Sequence, residues 1–280
     1  MEALNRRRLS VMAFKDSSEF QGFLDGNQYT GKNIRRQEKV YGDKFYSHGG
    51  EDTTAKFCSE LELRPGQKVL EIGCGVGGSS FYMARHFGVD VFGIDLSQNM
   101  ISIAKDYWNQ ENSGIQHRVQ FHIEDATKME YPENFYDVVY CQDTILHIFE
   151  KKPLFENLFK CLKPGGKLMI SDYCRGEGEH TMSFRKHIKL RGFQLITIPE
   201  YVKMLEKVGF EDIDAKNNNM YFRKILRAGL KRLKDIKFEV CDEYSEDDYN
   251  QLCKTLNEQL DNIDRGDLNW GHFIARKMFD

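Results

Sequence analysis

An acid and an imidazole lie near one another at the end of an apolar stretch, where both could take part in chemistry. In YDVVYCQDTILHI (residues 136–148), a run typical of a strand ends in Asp143, and His147 follows four residues later. If the chain turns helical after Asp143, this spacing puts both side chains on one face. A carboxylate can then hold an ammonium group while the imidazole helps to remove its proton. The alternative is a structural role, in which His147 caps a helix or bonds a backbone carbonyl.

A glycine-rich loop is the second candidate for ligand binding. In VLEIGCGVGGSS, Gly73 and Gly75 lie between a strand and a helix, where the missing Cβ lets the backbone approach a ligand closely. Asp95, at the end of the next strand, is placed to accept hydrogen bonds from a ribose diol. Glu71 adds negative charge where a pyrophosphate would otherwise lie near a helix N-terminus, which favours a cationic ligand. The alternative is that the glycines only make a tight turn.

A third acid completes a pattern that fits one cofactor. Asp125, at the end of HIEDA, is placed to take the exocyclic amine of an adenine. A sulfonium cofactor with a ribose and an adenine but no phosphate matches this set of residues. The segments LEIGCGVGG, GIDLS, EDA and LKPGG resemble those of the class I S-adenosylmethionine-dependent methyltransferases over about residues 60–175. The resemblance implies binding of S-adenosylmethionine, with S-adenosylhomocysteine as the product.

The elements that must position these residues alternate between short strands and helices from Gln67 onward. The predicted strands are KVLEIG, VDVFGIDLS, VQFHIEDA, DVVYCQDT and KLMISDY. The predicted helices are SSFYMARHFG, QNMISIAKDYWNQ and LHIFEKKPLFENLFKCL. Such alternation predicts a doubly wound, Rossmann-like α/β sheet with ligands at the carboxyl ends of its strands.

The C-terminal part is predicted to add helices and one last strand. TIPEYVKMLEKVGF has a capping box, Thr197 and Glu200, and Gly209 after its last turn. Helices are also expected near 218–236 and 245–262, and a strand near 270–276. We therefore expect a disordered lead over residues 1–17 and one methyltransferase domain over 18–280. Its predicted parts are an N-terminal lid (18–60), the cofactor-binding core (61–175), a helical cap insertion with a core helix and strand (176–265), and the final strand (266–280).

Composition excludes several classes of protein. With 40% apolar and 30% charged residues, the chain is typical of a soluble globular protein without a membrane span. The net charge of −3 is spread over mixed-sign stretches and gives no field that would attract nucleic acid. The seven cysteines include no CxxC pair, which argues against a disulfide framework and a zinc site. We expect a cytoplasmic monomer that needs no metal.

A closer resemblance extends from about residue 20 to the C-terminus. GNQYTGKNIRRQEKVYGDKFYSHGG, CQDTILH, ISDYC and KLRGFQLITIPEY look like segments of the phosphoethanolamine (phosphobase) N-methyltransferases, in particular their nematode and plant-type members. In that family a tyrosine and a histidine pair over the substrate and assist deprotonation of its amine. The resemblance gives these roles to Tyr29 and His147.

The same resemblance assigns binding roles to further residues. It makes Gln28 a substrate contact, Asp143 the partner of the substrate nitrogen, and Arg191 and Tyr173 the phosphate ligands, since a guanidinium fork matches phosphate oxygens. The residues expected to bind the cofactor are Tyr46, Ser47, Gly73, Gly75, Asp95, Leu96, Asp125, Ala126 and Gln142.

Two departures from the family pattern affect the phosphate end. Phe193 stands where members often have tyrosine, and Gln259 lies near the place of a late lysine. The expected activity is N-methylation of phosphoethanolamine or its mono- and dimethyl derivatives toward phosphocholine, most of all the later steps. The alternatives are methylation of another small amine or a sterol on the same fold, and a non-catalytic protein that binds S-adenosylmethionine.

Overall fold

The computed structural model describes residues 14, 16–112 and 114–279. Most of the predicted lead over residues 1–17 lies outside the described residues. A helix already begins at Ser17, with the Asp16 carboxylate accepting a hydrogen bond from the backbone nitrogen of Glu19. An Asp at this position satisfies one of the free backbone donors of the first turn.

A seven-stranded sheet forms the centre of the molecule. Its strands are β1 (Lys68–Ile72), β2 (Asp90–Asp95), β3 (Val119–Ile123), β4 (Tyr136–Gln142), β5 (Leu162–Arg175), β6 (Glu211–Asn217) and β7 (Leu268–Arg276). Their order is β3-β2-β1-β4-β5-β7-β6, with β1 to β5 parallel and β7 antiparallel to both β5 and β6. The strand order reverses direction between β1 and β4, the place where ligands bind in sheets of this kind.

Helices cover both faces of the sheet, and they include the segments predicted as the lid and the cap. They are α1 (Ser17–Phe23), α2 (Gly31–Tyr41), α3 (Gly50–Leu61), α4 (Gly78–Phe87), α5 (Gln98–Gln110), α6 (Lys151–Cys161), α7 (Met182–Arg191), α8 (Ile198–Val208), α9 (Asn219–Asp235), α10 (Lys237–Glu243) and α11 (Glu246–Asp264). A π-helical turn, Leu24–Gln28, follows α1, and 3₁₀ turns lie at Gln116–Arg118 and Ile145–His147.

Alternating side chains of the strands supply two apolar cores. On β7, Trp270 packs with Phe57 of α3 and Phe222 of α9 on one face, whereas Phe273 packs with Tyr201 of α8 on the other. Successive residues of a strand point to opposite faces, so both faces are buried only if helices cover each. The predicted doubly wound α/β fold is confirmed.

Local signals in the sequence explain where several elements begin and end. The capping box predicted for α8 is present, with Thr197 and Glu200 exchanging side chain to backbone hydrogen bonds. One boundary was wrong: the helix expected over LHIFEKKPLFENLFKCL begins only at Lys151, because the chain first makes the 3₁₀ turn Ile145–His147. No helix within the described residues is long and apolar enough to cross a membrane.

Candidate active site

One cavity of about 900 Å³ lies over the carboxyl ends of the strands, beneath α1, α2 and α11. Every predicted site residue lines it: Gln28, Tyr29, Tyr46, Ser47, Gly73, Gly75, Asp95, Leu96, Asp125, Ala126, Gln142, Asp143, His147, Tyr173 and Arg191. The volume suits a small-molecule site. Residues from both halves of the chain therefore meet in one place, as the sequence predicted.

The glycine loop forms one end of the cavity. Gly73 and Gly75 have φ of 71° and 53°, a region that favours glycine. A Cβ on Gly73 would come within 2.0 Å of the Thr144 Oγ1 atom, so a side chain cannot fit there. The Gly75 amide donates to the Asp95 carboxylate at 2.9 Å, and burial raises the pKa of Asp95 to about 6. The loop and the acid are thus locked to each other.

Glu71 does not face the cavity. Its buried carboxylate accepts hydrogen bonds from the hydroxyls of Ser79 and Ser80 in the first turn of α4. Burial raises the pKa of Glu71 to about 7, so its negative charge is only partly present at neutral pH. It occupies the helix N-terminus, as expected, but it repels phosphate less than the sequence argument assumed.

Helix α1 and the turn after it lie over the part of the cavity that contains Asp95 and Asp125. Ser17 donates its hydroxyl to Asp125, and the Gln21 side-chain nitrogen donates to the Leu96 carbonyl at 2.6 Å. Asp25 accepts hydrogen bonds from the Ser97 hydroxyl and the Gln98 backbone at the start of α5. The predicted N-terminal lid is therefore tied to the strand ends that carry Asp95 and Asp125.

Tyr29 and His147 meet across the cavity. The Tyr29 hydroxyl lies 2.8 Å from His147 Nε2, and the two rings are in edge contact. Burial raises the pKa of Tyr29 well above its usual value and, with the charges of Lys151 and Arg191, lowers that of His147 to about 3. Both groups are therefore neutral at pH 7, and His147 Nδ1 is buried with no hydrogen-bond partner within the described residues.

A buried network holds the turn that carries His147. The Asp172 carboxylate accepts hydrogen bonds from the Leu146 backbone at 3.0 Å and from the Tyr201 hydroxyl. The Lys151 ammonium donates to the carbonyls of Ile145 and Ile148 at 2.6 and 2.7 Å. Sequence reasoning missed this network, because Asp172 is on β5, far from the turn along the chain.

Asp143 is fixed with one oxygen free. It has a φ of 53°, so it shares no helical face with His147, contrary to the condition considered in the sequence analysis. Trp270 and Ser171 donate to its Oδ1 at 2.7 and 3.1 Å. Its Oδ2 is buried and has no hydrogen-bond partner within the described residues, although His48 Nδ1 lies 3.5 Å away. This oxygen is available to a donor in the cavity.

The other end of the cavity contains Arg191 and Tyr173. Within the described part of the chain, the Arg191 guanidinium makes no ion pair, whereas its carbonyl accepts a hydrogen bond from the Gln28 side chain at 2.9 Å. The Tyr173 hydroxyl accepts a hydrogen bond from Gln259 at 2.8 Å. Gln259 therefore lies beside Tyr173, and Phe193 packs edge-on against Tyr173 without offering a donor.

Sequence reasoning also missed His48 as a cavity residue. Its imidazole lies between Asp143 and Tyr173. The only signal was a histidine inside YSHGG, next to Tyr46 and Ser47. Among the residues that the structure describes, no group of three or more His, Cys, Asp or Glu could hold a metal ion.

Known proteins are similar to this chain in sequence. A family model described as a methyltransferase domain matches residues 63–224. Phosphoethanolamine N-methyltransferase 3 of Arabidopsis thaliana is 44% identical, over 92% of this chain and 52% of its own length. The phosphoethanolamine N-methyltransferase of Plasmodium falciparum is 34% identical, over 91% of this chain and 95% of its own length.

A solved structure agrees with these relatives. Phosphoethanolamine N-methyltransferase 2 of Haemonchus contortus, in complex with phosphomonomethylethanolamine and S-adenosylhomocysteine, superposes with a TM-score of 0.90 at 31% identity. The match covers 93% of this chain and 61% of that one. The chain spans about half the length of the plant relatives it matches. By sequence and by structure, the chain belongs to the phosphoethanolamine N-methyltransferase family.

Proposed function

We propose that this chain methylates the nitrogen of a phosphobase with S-adenosylmethionine as the methyl donor. The proposal rests on one juxtaposition in a single cavity: a Tyr29–His147 pair, an Asp143 carboxylate oxygen and an Arg191 guanidinium. Among the described residues, this oxygen has no hydrogen-bond partner and the guanidinium has no ion-pair partner. A small zwitterion with an ammonium and a phosphate group matches these charges. The relatives' names and the ligand of the nematode structure point to the same substrate class.

The residues at the glycine-loop end fit the cofactor. Gly73 and Gly75 leave room for close approach. Among the described residues, each Asp95 oxygen accepts from a backbone amide alone, which leaves lone pairs for ribose hydroxyls. The buried Gln142 Nε2 has no partner within the described residues and faces this space. When bound, S-adenosylmethionine supplies a methyl group made electrophilic by its sulfonium sulfur. Tyr46 and Ser47 would lie against it.

Asp143 would orient the substrate nitrogen. Trp270 and Ser171 hold Oδ1, so Oδ2 can accept a hydrogen bond from the ammonium group without rearrangement. Fixing the nitrogen at a near-attack distance of about 3–3.5 Å converts the reaction to an effectively unimolecular one.

Deprotonation would use Tyr29 and His147. A free lone pair is required for attack, and a lysine-like amine with a pKa of about 10 is protonated at pH 7. The amine proton would pass to the Tyr29 oxygen while the phenol proton passes to His147 Nε2, which lies 2.8 Å away. A bound phosphate would offset the positive charge of Arg191, one cause of the low pKa of His147, and so make the imidazole a better acceptor.

The proposal also covers which methylation the enzyme catalyses, in which compartment it acts and whether it acts as a monomer. We favour the later methylations because the phosphobase bound in the nematode structure already carries one methyl group. A sterol would call for a more apolar cavity without Arg191, and a non-catalytic role does not explain the Tyr29–His147 contact. All seven cysteines are free thiols, consistent with a cytoplasmic protein. We also propose that it acts as a monomer.

The direct test is to assay purified protein with phosphoethanolamine, its mono- and dimethyl derivatives, and free ethanolamine. Methyl transfer to a phosphorylated substrate, with the mono- and dimethyl forms preferred, is expected. Equal activity on free ethanolamine would contradict the phosphate assignment. Absence of transfer to all three phosphobases would contradict the function.

A further inference from the structure

His48 occupies the middle of the cavity, and a tight turn fixes it there. Gly49 and Gly50 follow it with φ of 78° and 52°. A Cβ on Gly50 would come within 2.0 Å of the Tyr41 carbonyl oxygen, so this turn requires glycine. The imidazole ring packs against the rings of Tyr41 and Phe222, with centroids 5.1 and 5.0 Å away. These contacts fix the direction in which its two nitrogens point.

The two ends of His48 face the two anchoring regions of the site. Nδ1 lies 3.5 Å from Asp143 Oδ2, the oxygen proposed to hold the substrate nitrogen. Nε2 lies 3.1 Å from the Tyr173 hydroxyl and 3.2 Å from the Gln259 side-chain nitrogen, at the proposed phosphate end. The Tyr173 hydroxyl also lies 3.2 Å from Nδ1, so the imidazole contacts residues proposed for the ammonium position and for the phosphate position.

Several polar groups lie around the Tyr173 hydroxyl, and their hydrogen bonds to one another are incomplete. Gln259 donates to this hydroxyl at 2.8 Å, yet the buried Gln259 Oε1 has no partner within the described residues. The contact between Gln259 Nε2 and His48 Nε2 joins two nitrogens, and it is a hydrogen bond only while His48 Nε2 carries no proton. An anion placed here would accept from the hydroxyl, the amide and a protonated imidazole together.

The charge balance of the cavity calls for a second cation at this end. A phosphate monoester brings about −1.5 to −2 charges at pH 7. Arg191 supplies one positive charge, Phe193 supplies no donor, and Gln259 is neutral. The groups that face His48 are Asp143 of β4, Tyr173 of β5, Tyr41 of α2, Gln259 of α11 and the apolar Phe222 of α9. Burial raises the pKa of both tyrosines, so Asp143 is the one anion among these groups.

We propose that His48 is a substrate-binding residue: its protonated imidazole donates from Nε2 to a phosphate oxygen and from Nδ1 to Asp143. The inference rests on the proposed function and adds the group that completes phosphate recognition.

Two substitutions test the role of the imidazole. His48→Ala removes it, and His48→Asn replaces it with a neutral amide that reaches about as far as Nδ1 but not as far as Nε2. Each should raise the KM for phosphomonomethylethanolamine by about tenfold or more, as expected for loss of a hydrogen bond between charged groups, with the Kd for S-adenosylmethionine unchanged. His122→Asn is the control, because His122 is partly buried against Phe92 outside the cavity. Thermal melting confirms that each variant is folded.

Two further readouts separate charge from packing. Raising the pH removes the charge of a protonated imidazole, so the KM of the wild type should rise more steeply with pH than that of His48→Asn, since the ionisation of the substrate is common to both. Adding Gln259→Lys to His48→Ala should lower the KM again, because it restores a cation beside Tyr173. A KM within about twofold of the wild type for His48→Ala, identical pH profiles, or no recovery by Gln259→Lys would overturn the assignment.

Failure of the inference can be told apart from failure of the proposed function. Calorimetry with phosphocholine measures binding without turnover. If the wild type binds phosphocholine about tenfold more tightly than His48→Ala but methylates no phosphobase, the function is wrong and the role of His48 stands. If the wild type methylates phosphobases and both proteins bind phosphocholine equally, the function stands and the role of His48 is wrong.

Discussion

The Tyr29 hydroxyl lies 2.8 Å from Nε2 of His147, and this contact joins the N-terminal lid to the turn after β4. Tyr29 directly follows the π-helical turn Leu24–Gln28, whereas His147 ends the 3₁₀ turn Ile145–His147. The residues are far apart along the chain, so the proposed acid–base pair depends on the packing of the segment before α2, part of the predicted lid, against the turn after β4.

Loss of either member of the pair should lower kcat. We expect His147→Ala and Tyr29→Phe each to reduce kcat by about 10²- to 10³-fold, because general acid–base groups contribute on this scale. The Kd for S-adenosylmethionine should hardly change. Since the two act as a unit, the double variant should be no slower than the worse single one. Fully multiplicative effects in steady-state kinetics would show that the two side chains act independently.

The buried network around Lys151 should position His147. Lys151→Met leaves the carbonyls of Ile145 and Ile148 without their donor and Asp172 without a nearby cation, so the free energy of unfolding should fall by about 3 kcal/mol. The charge of Lys151 lowers the pKa of His147, so this pKa should rise in the variant. Urea unfolding and NMR titration of the imidazole measure the two effects.

Lys152→Met provides the control for this experiment. Lys152 is the next residue of the same helix, but its ammonium pairs with Glu156 on the surface, where ion pairs are worth about 0–1 kcal/mol. Lys152→Met should change the free energy of unfolding by no more than this amount. It should leave the titration of His147 unchanged. If Lys152→Met and Lys151→Met behaved alike, the network would have no special role.

Arg191 should matter for the phosphate and not for the cofactor. Arg191→Ala is expected to raise the KM for a phosphobase by about 10- to 100-fold, the scale of a lost charged hydrogen bond, with little effect on the Kd for S-adenosylmethionine. Lys189→Ala is the matched control, since Lys189 is exposed on the same helix. Equal KM values for the two variants would remove Arg191 from phosphate binding.

Asp25 should govern how firmly the lid is held. Asp25→Ala removes the acceptor for Ser97 and Gln98 at the start of α5, a loss worth about 0.5–2 kcal/mol for a helix cap. The dissociation rate of S-adenosylmethionine should rise by about 2- to 30-fold, measurable by stopped flow. An unchanged rate would mean that the cofactor leaves without opening of this contact.

The low pKa of His147 predicts a pH dependence of stability. The pKa is about 3 in the folded protein against an ordinary value of 6.5, so the unfolded chain binds more protons between these values. The contribution of this group is complete above about pH 6.5 and is lost as the pH falls toward 3. Wild type should therefore lose more stability than His147→Gln between pH 7 and 5 in urea unfolding. Parallel losses would contradict the buried, neutral imidazole.

Much of the fold follows from signals that act over short distances. The alternation of strands and helices, the glycines before α4 and the capping box of α8 each depend on neighbouring residues, and all appear where predicted. The start of α6 was misplaced because Asp172, on a distant strand, binds the Leu146 backbone and favours a 3₁₀ turn. No local pattern contains that contact.

The site shows the same division between local and distant causes. The acids at strand ends and the Tyr29–His147 pair were found because a motif or a family resemblance marks each of them. His48 was missed because its position depends on residues of five elements, and Glu71 was misread because its orientation depends on Ser79 and Ser80. Side-chain direction in such cases is set by tertiary packing.

The central claim is that the protein transfers a methyl group to a phosphobase nitrogen in this cavity, and that His147 assists the transfer. Single-turnover transfer from labelled S-adenosylmethionine to phosphomonomethylethanolamine, by wild type and His147→Ala with both ligands saturating, tests it most directly. We predict rapid transfer by the wild type and transfer slower by about 100-fold in the variant. No transfer by the wild type, or equal rates for the two proteins, would contradict the claim.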